Sequence, residues 1–135
     1  MITLDTSAII AYLNRSDPHH HATVQLLSDE RGPLIIPAPI LAEIAYLVET
    51  RRGQAALDPF LNDIIRGNYL LDCGDQDMPR IRELVGRYVD LPLGFADAAV
   101  IACAERRGGR VLTYDQRHFP VVAGEAKIMV VGGGR

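Results

Sequence analysis

One stretch, Leu91 to Phe119, constrains the fold more than any other part of the chain. Asp97 follows a Gly-Phe pair and opens an apolar helical run from Ala98 to Ala104. Gly108 and Gly109 stop that helix and start a strand, Arg110 to Tyr114, which ends on Asp115. A helix, a turn and a strand therefore carry an acid at one end of each. If the strand lies parallel to its neighbours, its carboxyl end borders the crevice where open α/β sheets bind ligands. The helix running back under the sheet presents its N-terminus to the same edge, so Asp97 and Asp115 can face one another.

The rest of the chain repeats this alternation. Short apolar runs at Met1–Leu4, Leu34–Ile36, Tyr69–Leu71 and Lys127–Val131 read as strands. Between them, helices are expected from Ala8 to Leu13, from Asp17 to about Ser28, from about Ile40 to Arg52, from Ala55 to Ile65 and from Asp75 to Tyr88. Thr6 or Ser7 would cap the first helix. Pro59 falls in the first turns of the fourth, so an irregular start is expected there. The order is roughly β-α-α-β-α-α-β-α-α-β-β. Alternation of this kind implies an α/β fold with a mostly parallel sheet covered on both faces.

A chain of 135 residues fits a single domain, 1–135, with Gly132 to Arg135 as a loose tail. With 48% hydrophobic and 23% charged residues, a packed core is expected rather than disorder. The net charge of −3 does not advertise a nucleic-acid binder. Lys127 is the only Lys, however, and Arg suits bidentate phosphate contacts better. Cys73 and Cys103 have no metal-ligand spacing, and a reduced cytoplasmic protein is the simpler reading. Asp5 arrives before any signal-peptide core could form, and Glu43 and Asp97 interrupt the long apolar stretches, so no membrane span is expected. His19-His20-His21 cannot converge on one ion, because adjacent helical residues point in different directions; they read as a solvated helix start. Arg80, Arg82 and Arg87 likewise read mainly as a solvated face.

Four acids stand out by position: Asp5 and Asp115 at strand ends, Glu43 and Asp97 at helix starts. In a parallel sheet all four places lie on one edge. Simpler roles remain open for two of them. Asp5 could cap the first helix, and Glu43 could favour the third through its dipole. Packed carboxylates repel and raise one another's pKa values, a cost that a hard divalent cation removes. Mg²⁺ or Mn²⁺ suits such oxygen ligands; with no His or Cys in the group, zinc is disfavoured. Such a site can activate water for phosphodiester cleavage, and Arg117 beside Asp115 is a candidate RNA contact.

Asp5-Thr6-Ser7, Glu43, Leu93 to Ala99 and Leu112 to Phe119 resemble a PIN-domain nuclease, and more closely the VapC toxin of bacterial VapBC toxin–antitoxin pairs. The resemblance covers essentially the whole chain. It implies a PIN-like three-layer α/β/α sandwich with a five-stranded sheet of order 3-2-1-4-5. It also implies Mg²⁺- or Mn²⁺-dependent endoribonuclease activity on structured RNA such as tRNA or rRNA, a VapB-type antitoxin, and a homodimer. Carried over by position, Asp5 and Asp97 are the expected metal ligands. Glu43 and Asp115 complete the acidic pocket, with Thr6 and Thr113 as supporting hydroxyls. Gln116 stands where some members place a further acid, which leaves a second metal position open. A non-toxin PIN nuclease in RNA processing, or an inactive PIN-like binding module, shares these motifs. A haloacid-dehalogenase-like phosphatase would want an Asp where Ser7 stands. A receiver-like domain would want a Lys at the end of a late strand.

Overall fold

The computed structural model describes residues 1–131, so the tail expected at 132–135 lies outside the described residues. The elements run β1 (Ile2–Leu4), α1 (Thr6–Leu13), α2 (His20–Ser28), β2 (Leu34–Pro37), α3 (Leu41–Arg52), α4 (Gln54–Ile65), β3 (Leu70–Asp72), α5 (Met78–Arg87), α6 (Phe95–Arg106), β4 (Arg110–Leu112), α7 (Phe119–Ala123) and β5 (Met129–Val131). Single 3₁₀ turns at Ala38–Ile40 and Asp75–Asp77 lead into α3 and α5. The five strands form one sheet of order β3-β2-β1-β4-β5, and every pairing is parallel. This is the expected three-layer sandwich.

β1 is the central strand, and Ile2, Thr3 and Leu4 are fully buried. It pairs with β2 through Ile2–Leu34 and Thr3–Ile35, and with β4 through Thr3–Val111 and Leu4–Leu112. α6 packs against β1, β2 and β4 and carries seven consecutive buried residues, Ala98 to Ala104. Small side chains there let the helix lie close to the sheet. Gly108 and Gly109 both take positive φ, 92° and 86°, a backbone that suits residues without a Cβ. A Cβ on Gly109 would meet the Lys127 carbonyl oxygen at 3.0 Å, so this turn also seats β5.

Several boundaries differ from the sequence reading. The second helix begins at His20, not Asp17, because the Asp17 carboxylate accepts the His19 N–H at 2.8 Å and holds a turn there. Pro59 does not interrupt α4; both it and Ala55, the residue whose carbonyl a proline here leaves without a helical donor, are exposed. β3 is displaced by one residue, to Leu70–Asp72, and Tyr69 is buried just before it. β4 ends at Leu112 and β5 starts at Met129. The short helix α7 between them was not expected. It is the crossover that parallel neighbours require. Arg80 is not merely solvated: its Nε and Nη2 donate to both Glu105 oxygens at 2.8 Å, tying α5 to α6. Among the described residues no helix is long and apolar enough to cross a membrane, and Cys73 and Cys103 are both free.

Arg106, at the end of α6, clamps two buried acids. Its guanidinium donates to both oxygens of Asp72 at 2.8 and 3.0 Å and to both of Asp77 at 2.7 and 2.8 Å. Arg107 adds a 2.6 Å bond to Asp72. Hydrogen bonds from Arg106, then Arg107, hold the Asp72 carboxyl down at about 2. A depressed carboxyl stabilises the fold above the unfolded-state value near 4, and that contribution fades as pH falls toward 2. Arg106→Ala is expected to cost about 3 kcal/mol in urea denaturation at neutral pH, since it strands the buried Asp77 and leaves Asp72 with Arg107 alone. A loss below about 0.5 kcal/mol would assign the clamp no net role.

Candidate active site

The site is assembled where β1 and β4 end. Asp5 leaves β1 with its N–H donated to the Leu112 carbonyl at 3.1 Å. It occupies the N-cap position of α1, but its carboxylate makes no capping bond. Nor do Thr6 or Ser7 cap the helix; both lie inside it and serve other partners. The capping account of Asp5 therefore fails on geometry.

Two hydroxyls hold Asp5 instead. Thr113, fully buried, donates from Oγ1 to Asp5 Oδ2 at 2.7 Å and accepts the Asp115 N–H at 3.0 Å. Ser7 donates from Oγ to the same Oδ2 at 3.1 Å and accepts the Tyr114 N–H at 3.0 Å. Each hydroxyl thus links the end of one strand to the end of the other. Asp5 is 7% exposed, and this burial pushes its carboxyl up to about 6. The hydrogen bonds from Thr113, Thr6 and Ser7 oppose the rise, and the neighbouring charge of Asp97 adds to it.

Glu43 sits in the first turn of α3 and accepts the Thr6 hydroxyl at 2.7 Å. That bond points the carboxylate toward the start of α1. Asp97 lies in the first turn of α6. Burial raises its pKa, a hydrogen bond from His118 lowers it, and the charges of Asp115 and Glu43 raise it. Asp115 follows β4 in a turn where its Oδ1 accepts the N–H groups of Arg117 at 2.8 Å and His118 at 3.3 Å. Asp5, Thr6, Glu43, Asp97, Asp115 and Arg117 all line one cleft of about 510 Å³. Thr113 lies behind it. The Arg117 side chain is 85% exposed and only 4.0 Å from Asp115, so it remains available to a ligand.

His118 was missed by the sequence reading. Its Nδ1 lies 2.7 Å from Asp97 Oδ2 and 3.4 Å from Asp115 Oδ2, so it bridges two acids that come from different elements. Among the described residues, Asp97, Asp115 and His118 place ligand-type atoms within 4.8 Å of one another. The expectation that no His belongs to the cluster is therefore corrected. The turn closed by Asp115 brings a side chain three residues on back over its own carboxylate. The spacing Asp115–His118 is the signal that could have revealed it. In this arrangement Nδ1 is committed to the carboxylates, which makes His118 a positioning group.

Acids drawn from two strand ends and two helix starts thus gather in one cleft at the carboxyl edge of a parallel sheet. Residues 2–125 match the PIN domain, and the chain belongs to that family. It is 34% identical over 134 residues to Ribonuclease VapC26 of Mycobacterium tuberculosis (strain ATCC 25618 / H37Rv), covering 98% of this chain and 95% of the relative. Among solved structures, Mycobacterium tuberculosis VapC20, described as a sarcin–ricin loop cleaving toxin, superposes with a TM-score of 0.78 at 20% identity, covering 95% of this chain and 98% of that one. VapBC2 of Rickettsia felis, bound to a promoter DNA fragment, gives 0.71 at 16% identity, over 96% and 97%. FitAcB of Neisseria gonorrhoeae gives 0.68 at 20% identity, over 98% of each. These structural likenesses speak for the fold.

Proposed function

We propose that this chain is the toxin of a VapBC-type pair, a divalent-metal-dependent endoribonuclease that cleaves phosphodiester bonds in structured RNA such as tRNA or rRNA. The observation that carries the reading is the convergence of Asp5, Glu43, Asp97 and Asp115 in one cleft, on a chain that is 34% identical to a named ribonuclease. The residues fit a hard cation. Asp5 is buried with its carboxyl raised, and the charge of Asp97 adds to that rise. A positive ion is what lets both ionise together. Asp5 and Asp97 would hold Mg²⁺ or Mn²⁺, with Glu43 and Asp115 completing the pocket. When bound, such an ion supplies Lewis acidity and a more acidic water.

The protein's own groups do the rest. Thr113 and Ser7 fix Asp5 through Oδ2 and leave Oδ1 outside that pair of bonds. His118 keeps Asp97 and Asp115 side by side against their repulsion. Arg117 takes a phosphate flanking the cleaved bond. Its attraction, with that of the ion, lets a chain of net charge −3 engage a polyanion. Residues 1–135 act as one PIN-like domain in this reading. The protein works in the cytoplasm as a homodimer and is inhibited by a VapB-type antitoxin; the solved VapBC and FitAcB structures support a partner of that kind.

The test is cleavage of total bacterial RNA by purified, antitoxin-free protein, with cut ends mapped. Discrete cuts with Mg²⁺ or Mn²⁺, abolished by EDTA, are expected. Intact RNA under all metal conditions would reject the nuclease assignment.

A further inference from the structure

The three consecutive histidines have three different fates. His20 Nδ1 lies 2.8 Å from the Ala11 carbonyl, so that nitrogen carries the proton and pins the start of α2 to α1. His21 is exposed. His19 lies flat on Tyr114, with ring centroids 4.1 Å apart and planes 8° from parallel. Both rings line the acidic cleft.

The stack is fixed from several sides. The His19 N–H is held by Asp17 at 2.8 Å. Thr23, fully buried, donates its hydroxyl to the His19 carbonyl at 2.7 Å. Its single proton is thereby used, so the Tyr114 hydroxyl donates to Thr23 Oγ1 at 2.6 Å. The Tyr114 N–H goes to Ser7, the same hydroxyl that holds Asp5. Tyr114 also immediately precedes Asp115. The aromatic pair and the acids are therefore parts of one rigid assembly. Tyr114 covers one face of the His19 ring, and His19 still lines the cleft, so the ring is not closed off from a ligand there.

A planar ring fixed before binding is a good surface for a nucleobase, since stacking needs no further ordering of the protein. Arg51 lines the same cleft and can offset a neighbouring phosphate. We propose that His19, backed by Tyr114, is the stacking platform for the nucleobase adjoining the scissile phosphodiester. The inference rests on the ribonuclease reading above and adds the binding contact that the acids cannot supply.

The test begins with total bacterial RNA cut by wild-type protein. An oligoribonucleotide spanning the mapped cut then serves as substrate, intact or with one abasic nucleotide moved along it. His19→Ala should lower kcat/KM roughly five- to a hundredfold, chiefly through KM, with an unchanged melting temperature. His19→Phe should restore most of it. One abasic position should weaken wild type by a similar factor and leave His19→Ala unaffected, because the same contact cannot be lost twice. If His19→Ala is less stable, this coupling still decides the matter. Additive losses, or unchanged kinetics in His19→Ala, would overturn the platform while leaving the nuclease standing. A wild-type protein that cuts no RNA would bring down both.

Discussion

Asp97→Asn is expected to abolish RNA cleavage while the fold persists. The loss should exceed the 10- to 100-fold typical of groups that merely hold a metal ligand in place, because a proposed ligand itself is changed. Asn keeps the size of the side chain and an oxygen that can accept the His118 N–H. It removes the charge that would hold a cation. It also removes repulsion from Asp115 and Glu43, both of which act to raise the Asp97 pKa. The metal-free variant should therefore melt no lower than wild type. Cleavage assays of purified protein with thermal melts alongside separate the possibilities. Full activity in Asp97→Asn with Mn²⁺ present would refute the assigned role. Loss of activity together with a large drop in melting temperature would make Asp97 a structural acid.

The second large effect concerns Asp5 and pH. Its folded-state carboxyl is raised to about 6 from an ordinary 3.8, mainly by burial. A raised acid favours the fold while it is protonated. That contribution is complete below the unfolded value near 4 and is lost as pH rises through 6. Metal-free wild type should thus lose roughly 3 kcal/mol of stability between about pH 4 and pH 7 on account of this group. Asp5→Asn cannot ionise and should escape that loss, melting higher than wild type at neutral pH in EDTA. Adding Mn²⁺ should reverse the order. A site filled at a hundred times its Kd gains about 2.7 kcal/mol, and only the protein with the intact acid should bind well. Parallel stability–pH curves for the two proteins would show that Asp5 titrates as an ordinary exposed acid.

These acids are legible in the sequence because strand ends and helix starts carry recognisable punctuation. Gly108-Gly109 marks one boundary and Pro37 with Pro39 another. Asp5 was ambiguous for a physical reason. A capping carboxylate and a ligand carboxylate occupy the same place in the sequence, and only the direction of the side chain separates them. That direction is set by Thr113, more than a hundred residues away. His118 escaped notice because its approach to Asp97 depends on the turn that Asp115 closes through its own side chain. α7 escaped for a simpler reason. Phe119 to Ala123 is too short to show a helical period, and Pro120 stands in its first turn. The sequence overstates the extent of β4 and β5, since residues such as Tyr114 and Ile128 that flank a three-residue strand look like more of it.

The sheet order places β1 between β2 and β4, so during synthesis β1 receives one neighbour early and the other late. Asp5 leaves the ribosome more than a hundred residues ahead of Thr113, which orients it, and of Asp115 and His118. A nascent chain that stops short of Thr113 therefore carries the Asp5 carboxylate without the hydroxyl that aims it. Termination anywhere before Thr113 leaves the cleft without Asp115 and leaves Asp97 without its His118 partner.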